Sequence, residues 1–181
     1  MLLIENTEMK MWDSLVKEST VTLYISQKLV YVEPPREINW STLSAEDMGY
    51  SVHEIMIIAS MIERETADDA ERPRIAAVIY NRLNSPNFPL LQIDATIHYA
   101  IAGTGIPFST SVESEFNTYL HEGLPPGPIA NPGIQSIRAA LFPDTTNEFF
   151  YALNRSGTHN FFTNYNDHTN FVNSDQYGGR R

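Results

Sequence analysis

The 181-residue chain contains no cysteine, and this absence excludes disulfide bonds, thiolate metal ligands and cysteine nucleophiles together. Lysine is nearly as scarce, because the chain has only Lys10, Lys17 and Lys28. No apolar run approaches the roughly 20 residues that a membrane-spanning helix requires. The first residues, Met1–Ile4 followed at once by Glu5, also lack the basic leader of a signal peptide. Taken alone, these absences predict a cytosolic protein.

Basic charge is also in short supply, since 12 Lys and Arg stand against 22 Asp and Glu and give a formal net charge of -10. The sequence has no basic stripe of the kind that binds phosphates, so nucleic acid is not an expected partner. The 5 histidines lack the spacing of metal ligands on a helix, and we predict no metal site. What remains, with 42% hydrophobic and 19% charged residues, is typical of a folded domain with one core.

The chain divides into an N-terminal adjunct, a main domain and a tail that we expect to be disordered, at residues 1–40, 41–175 and 176–181. In the adjunct, a short helix at Met11–Glu18 precedes two β-rich runs, Val21–Ser26 and Leu29–Glu33, which are expected to pair as a hairpin. Pro34-Pro35 ends this unit. We interpret it as an adjunct or as the remnant of a preceding domain.

The main domain has helices first and a hairpin afterwards, and this order predicts an α+β fold. A capping box at Ser51–Glu54 marks the start of a helix that runs to about Glu65. Further helices are predicted at Asp69–Leu83, at Asp94–Ala102 and from an N-cap at Asn131 to Leu141, and strands at Glu148–Leu153 and His159–Thr163.

The first helix of the main domain carries the best candidate for acid-base chemistry. It is apolar on most sides, and Glu65 follows Ile62 and Ile58 by three and seven residues, so its side chain projects from the apolar face. A carboxyl in apolar surroundings has a raised pKa, and a helix C-terminus acts in the same direction, which suits a general acid. The alternative is a surface glutamate paired with Arg64 or Arg72. The residues alone leave both interpretations open.

Neutral hydrogen-bonding side chains and aromatic rings are frequent in the middle of the chain. Gln92, Asp94, Asn117 and Tyr119 are examples, and such groups bind the hydroxyls and the C–H faces of sugars. The alternative is a local role, because Asn and Asp often cap helices and turns. For Asp94 and Asn131 we expect capping, although an N-cap can also line a cleft.

Six motifs follow one another in a fixed order. They are IASMIERET at 58–66, VIYNRL at 78–83, LQIDATIHY at 91–99, NTY at 117–119, GLPPGPIANPG at 123–133 and GTHNF at 157–161. Together they closely resemble the endolytic murein transglycosylase (YceG-like) family, over about residues 46–173.

This resemblance implies an enzyme that cleaves the MurNAc-β-1,4-GlcNAc bond within peptidoglycan glycan strands and leaves a 1,6-anhydro-MurNAc end. The catalytic glutamate of the family corresponds to Glu65, which would act first as general acid and then as base, without a cofactor. The substrate-binding residues implied are Gln92, Asp94, Asn117, Tyr119 and Glu63. Glu63 is also expected to orient Glu65 or Arg64.

The family resemblance also implies a lysozyme-like helical catalytic core with a small β-hairpin sheet. Full-length members carry an N-terminal membrane helix, so the expected place of action is the extracytoplasmic face of the membrane, beside peptidoglycan synthases. This chain is expected to be a soluble fragment that lacks that helix. Two departures from the family pattern, Gln92-Ile-Asp-Ala-Thr96 and Asp167-His168, bear on substrate preference.

Three alternative functions stay open at this point. A lysozyme-type hydrolase would use the same acid with Asp94 as a second carboxylate that delivers water. A non-catalytic murein-binding module would not depend on Glu65 at all. A pyridoxal phosphate lyase needs a cofactor-binding lysine, and the absence of lysine after Lys28 argues against it.

Overall fold

The computed structural model describes residues 21–25, 28–32 and 48–179. Strands β1 (Val21–Ile25) and β2 (Lys28–Val32) pair antiparallel, with Val21 opposite Val32, which confirms the hairpin predicted there. The helix predicted at Met11–Glu18 lies outside the described residues.

The centre of the core is helix α1 (Val52–Glu65), and every residue from Ile57 to Ile62 is buried. The predicted capping box is confirmed at its start, since the Glu54 amide donates to Ser51 Oγ at 3.2 Å and the Ser51 amide donates to the Glu54 carboxylate at 2.7 Å. Three helices pack around α1, namely α2 (Arg72–Leu83), α3 (Asp94–Ile101) and α4 (Ile134–Leu141).

Helix α2 begins at Arg72, three residues later than predicted. The residues before it form a turn in which side chains replace helical hydrogen bonds. Thr66 Oγ1 accepts from the Asp68 amide at 3.0 Å, and Asp68 Oδ1 accepts from the Ala70 amide at 2.9 Å. Such side-chain acceptors compete with helix formation, which explains the late start.

The N-cap predicted for α4 at Asn131 is wrong, because the cap residue is Gly133, which has no side chain to offer. Glu63 of α1 supplies the acceptor instead. Its Oε2 accepts from the Gly133 amide at 3.0 Å and from Ser136 Oγ at 2.6 Å, and Arg72 Nη1 donates to the same oxygen at 3.3 Å. A carboxylate at a helix N-terminus is also favoured by the helix dipole. Glu63 therefore joins α1, α2 and α4.

A two-stranded sheet, β3 (Phe150–Leu153) and β4 (His159–Phe162), follows the helices, with Phe150 opposite Phe162. This element order confirms the α+β class. Helix α5 (Tyr165–Val172) packs on the sheet and was not predicted. Its Asn164 N-cap accepts from the Asp167 amide at 2.9 Å, and this local pattern is the signal in the sequence that could have revealed it.

The disorder expected from residue 176 onward does not extend to residues 176–178. The Arg155 amide donates to the Gln176 carbonyl at 3.1 Å, and the Gly178 amide donates to the Leu153 carbonyl at 2.8 Å. A Cβ at position 178 would lie 2.3 Å from the Asn154 carbonyl oxygen, so this close approach requires glycine. Within the described ranges, no helix is both long and apolar enough to cross a membrane.

We expect Glu63→Ala to lower the free energy of unfolding by about 2–3 kcal/mol, because the Arg72 guanidinium, the Ser136 hydroxyl and the Gly133 amide each lose the same partly buried acceptor. Urea denaturation followed by circular dichroism measures the change. Ser51→Ala, which removes only a helix cap, is the comparison and should cost about 1 kcal/mol. A smaller loss for Glu63→Ala than for Ser51→Ala would contradict the bridging role.

Candidate active site

A cavity of about 530 Å³ lies where the end of α1 meets α2, the segment before α3, the β3–β4 sheet and α5. Its polar lining includes Glu65, Gln92, Asp94, Tyr119, Tyr151 and His159. Helices and strands carry most of these groups, so the cavity wall is rigid. The cavity is the candidate active site.

Glu65 is the last residue of α1, and its side chain is partly buried at the cavity wall. Burial raises the pKa of its carboxyl, and the hydrogen bond from Tyr151 and the charge of His159 lower it, with a net rise. The net rise in pKa agrees with the rise expected from the position of Glu65 on the apolar face of the helix. The alternative pairing with Arg72 does not occur, because that guanidinium bonds Glu63 and Asp69.

Tyr151 on β3 holds one oxygen of the Glu65 carboxyl, since its hydroxyl donates to Oε2 at 2.8 Å. Burial first, and the charge of Glu65 second, raise the pKa of Tyr151 well above its ordinary value, so the hydroxyl keeps its proton and acts as the donor. The sequence analysis missed this residue. Its strand was predicted, but the strand pattern does not say which distant group a side chain meets.

A second buried pair borders the same cavity. His159 Nδ1 lies 2.8 Å from Glu71 Oε2, and the His159 amide donates to Glu71 Oε1 at 2.6 Å. Thr66 Oγ1 donates to Oε2 as well, at 3.0 Å. Burial raises the pKa of the Glu71 carboxyl, but the hydrogen bonds from His159 and Thr66 outweigh it and give a net lowering. Glu71 therefore fixes His159 through both the backbone amide and the ring of the histidine.

Asp94 and Tyr119 form a third group on the cavity wall. The Tyr119 hydroxyl donates to Asp94 Oδ1 at 2.5 Å, and burial followed by this bond raises the pKa of Tyr119. Asp94 is the first residue of α3 and its N-cap is Ile93, so the capping role expected for Asp94 is wrong. The carboxylate of Asp94 is left exposed at the cavity.

Gln92 also faces the cavity and has a backbone φ of 54°, a conformation that residues other than glycine adopt rarely. Arg82 stabilises this conformation. Its Nη1 donates to Gln92 Oε1 at 3.0 Å and to the Leu90 and Leu91 carbonyls at 2.8 and 3.0 Å. Its Nε donates to the Phe149 carbonyl at 2.7 Å, so one buried guanidinium joins two walls of the cavity. The VIYNRL motif contains Arg82, which the sequence analysis did not single out.

Two of the residues predicted to bind substrate do not line this cavity. Asn117 is buried, and its Nδ2 donates to the Thr110 and Val112 carbonyls at 3.0 and 2.7 Å. Its Oδ1 accepts from the Tyr119 amide at 2.9 Å, so it shapes the loop that presents Tyr119. Glu63 caps α4 instead of orienting Glu65 or Arg64. Across residues 48–179, no group of three or more acidic or histidine side chains is placed to hold a metal ion.

These features define an α+β protein with a helical core and a cleft whose wall carries one hydrogen-bonded glutamic acid. The chain belongs to the YceG-like family, whose family model matches residues 6–174. The family resemblance of the six sequence motifs is thereby confirmed.

Curated relatives and a solved structure are consistent with this membership. The chain is 44% identical over 117 residues to the endolytic murein transglycosylase of Bacillus subtilis (strain 168), which covers 62% of the chain and 31% of that protein. The corresponding protein of Streptococcus pneumoniae (strain ATCC BAA-255 / R6) is 29% identical over 164 residues, covering 86% and 29%. A 2.6 Å crystal structure of a YceG-like protein from Listeria monocytogenes matches with a TM-score of 0.63 at 34% identity, covering 70% of this chain and 42% of that one. The chain spans about a third of the length of the curated relatives it matches.

We expect Tyr151→Phe to raise the pKa of Glu65 further, because the lost hydrogen bond stabilises the carboxylate more than the acid. Carbon-13 NMR of the glutamate carboxyls, followed through a pH titration, measures the change. Tyr80→Phe is the matched control, since its hydroxyl donates to the Ala140 carbonyl at 2.7 Å within the core. An unchanged or lower pKa of Glu65 in Tyr151→Phe, or an equal rise in Tyr80→Phe, would rule out the specific effect.

Proposed function

We propose that this chain is the catalytic part of an endolytic lytic transglycosylase, which cleaves MurNAc-β-1,4-GlcNAc bonds in peptidoglycan and leaves 1,6-anhydro-MurNAc ends. The observation that carries the proposal is the carboxyl of Glu65, whose pKa burial raises, at the wall of a cavity large enough for a sugar. Membership of the YceG-like family, and relatives named endolytic murein transglycosylase, support it.

In the proposed mechanism, Glu65 first acts as general acid. Tyr151 donates to Oε2, so the acidic proton resides on Oε1, and it passes to the glycosidic oxygen as the bond from that oxygen to C1 breaks. The GlcNAc 4-hydroxyl leaves. The hydrogen bond from Tyr151 strengthens as negative charge develops on Glu65, which stabilises the carboxylate that remains.

The carboxylate of Glu65 then acts as general base. It takes the proton of the muramyl C6 hydroxyl while the C6 oxygen bonds to C1, which closes the 1,6-anhydro ring and restores the acid. The nucleophile belongs to the substrate, so the reaction needs neither a bound water nor a second carboxylate. Gln92, Asp94 and Tyr119 line the same cavity and are the proposed contacts to sugar hydroxyls.

A lysozyme-type hydrolase is the second candidate, because Asp94 borders the same cavity and its charge acts on Glu65. In that reaction water attacks C1 and the product has a reducing MurNAc end. Asp94 already accepts a hydrogen bond from Tyr119 through Oδ1, which favours a role in binding over the delivery of water.

The place of action follows from the proposed substrate. Peptidoglycan lies outside the cytoplasmic membrane, so we propose that the protein acts at its extracytoplasmic face, with peptidoglycan synthases as partners. The formal charge of -10 argues against nucleic acid as the substrate. Residues 1–40 and 41–175 remain our proposed division into an adjunct and a catalytic domain.

We expect Glu65→Gln to lower the release of anhydro-muropeptides from purified murein by about 10²- to 10⁴-fold, because the amide cannot donate or accept the transferred proton. Mass spectrometry of the digest measures both the amount and the chemistry of the ends. Glu63→Gln, two residues earlier on the same helix, is the matched control and should retain activity per folded molecule.

Three results would contradict the proposal. Equal release of anhydro ends by the wild-type protein and by Glu65→Gln would exclude Glu65 as the acid. Reducing MurNAc ends would indicate the hydrolase. Binding of murein by the wild-type protein without any cleavage would indicate a non-catalytic module.

A further inference from the structure

Glu71 and His159 form a largely buried pair that is joined by two hydrogen bonds. Only 12% of the Glu71 side chain and 8% of the His159 side chain are exposed. A buried carboxylate without partners would be costly. Each oxygen of Glu71 contacts His159, one at the backbone amide and one at the ring, and Thr66 shares the second oxygen. This double contact fixes the imidazole in one orientation.

The chemistry of the pair follows from its hydrogen bonds. A carboxylate only accepts, so Nδ1 of His159 carries the proton that lies between the ring and Glu71. When Nε2 binds a second proton, the imidazole gains a positive charge that the adjacent carboxylate stabilises. His159 borders the cavity, as Glu65 does, and its charge acts on the Glu65 carboxyl.

Tyr151 lies between the two groups. Its ring meets the His159 imidazole edge to face, with centroids 5.4 Å apart and an interplanar angle of 88°, and its hydroxyl bonds Glu65. A continuous chain of side-chain contacts therefore runs from Glu71 through His159 and Tyr151 to Glu65. It joins the turn before α2, the sheet and the end of α1.

We propose that Glu71 and His159 are positioning residues for Glu65: Glu71 fixes the His159 ring against Tyr151, and the positive charge that this ring carries when it is protonated stabilises the carboxylate that Glu65 becomes between its two proton transfers. The inference rests on the proposed function for its catalytic meaning, although the electrostatic effect can be measured without any substrate. It addresses a conflict in that function, because burial favours the acid and disfavours the carboxylate that the second step needs.

Other charged and titratable groups face Glu65 and set the background for this effect. They are Asp94 of α3, Tyr119 of the loop after α3, Arg64 of α1 and Tyr151 of β3, with Arg82 of α2 acting on the two tyrosines. Among them Asp94 disfavours the carboxylate and Arg64 has the smallest effect on it. His159 is thus the main cationic influence on the Glu65 carboxyl.

The test is a double-mutant cycle on the 181-residue chain, with the titration of Glu65 followed by carbon-13 NMR of the glutamate carboxyls. His159→Gln should move that titration to higher pH, because the cation is lost and Glu71 is left as an unpaired anion. Glu71→Gln should also move it to higher pH, because the positive form of the His159 ring then loses its adjacent counter-charge. When His159 is already Gln, the Glu71→Gln substitution should leave the pKa of Glu65 unchanged or lower it, because the substitution then removes only a negative charge.

Kinetics on murein give the second readout. Activity requires protonated Glu65, so it falls as pH rises through the pKa of that group, and this alkaline limb of kcat/KM should move to higher pH in His159→Gln and in Glu71→Gln. We expect kcat to fall by about 10- to 100-fold with little change in KM, because the charge acts on the carboxylate formed during the reaction.

Glu148→Gln is the matched control, since Glu148 bonds Arg74 and its side chain is also 12% exposed, yet it does not line the cavity. It should lower stability without moving the titration of Glu65 or the alkaline limb. The inference is overturned if Glu65 titrates unchanged or at lower pH in His159→Gln, or if Glu148→Gln gives the same shift. An active Glu65→Gln, by contrast, would refute the proposed function while the NMR cycle still decides the electrostatic effect.

Discussion

The placement of Glu65 depends on the burial of α1, because the carboxyl belongs to the last residue of a helix enclosed by the core. Every residue from Ile57 to Ile62 is buried, and a close-packed interior resists rotation or sliding of such a helix. The capping box fixes its start, and Glu63 bonds its last turn to α2 and α4. Acid-base chemistry needs positions held to a fraction of an ångström, and here the hydrophobic core provides that precision.

The cavity then imposes two opposite requirements on the same carboxyl. Burial raises the pKa of Glu65 and favours its protonated form, whereas the hydroxyl of Tyr151 and the charge of His159 favour the carboxylate. A group that serves first as acid and then as base needs both influences, because either one alone would arrest it in a single protonation state. The sheet provides the second influence, since Tyr151 and His159 lie on β3 and β4. In the proposed mechanism, the small hairpin therefore has a chemical role in addition to covering the helices.

Local patterns predicted α1, its capping box, both hairpins and the face from which Glu65 projects, because each depends on residues within one or two turns. The bonds of Tyr151 to Glu65 and of His159 to Glu71 join residues 86 and 88 positions apart, and no local pattern encodes them. The cap of α4 was misplaced for the same reason, since its acceptor lies 70 positions away. Helix α5 was missed because Phe171 is its only buried residue, which leaves almost no hydrophobic periodicity to detect.

The contact of Gly178 with the β3–β4 turn has a practical consequence for work on this protein. Tyr177 and Gly179 line the cavity, so the last described residues form part of the wall of the cleft. A purification tag or fusion partner joined after Arg181 would begin only two residues from this wall. A bulky C-terminal fusion therefore offers a simple means to obstruct the cleft on purpose.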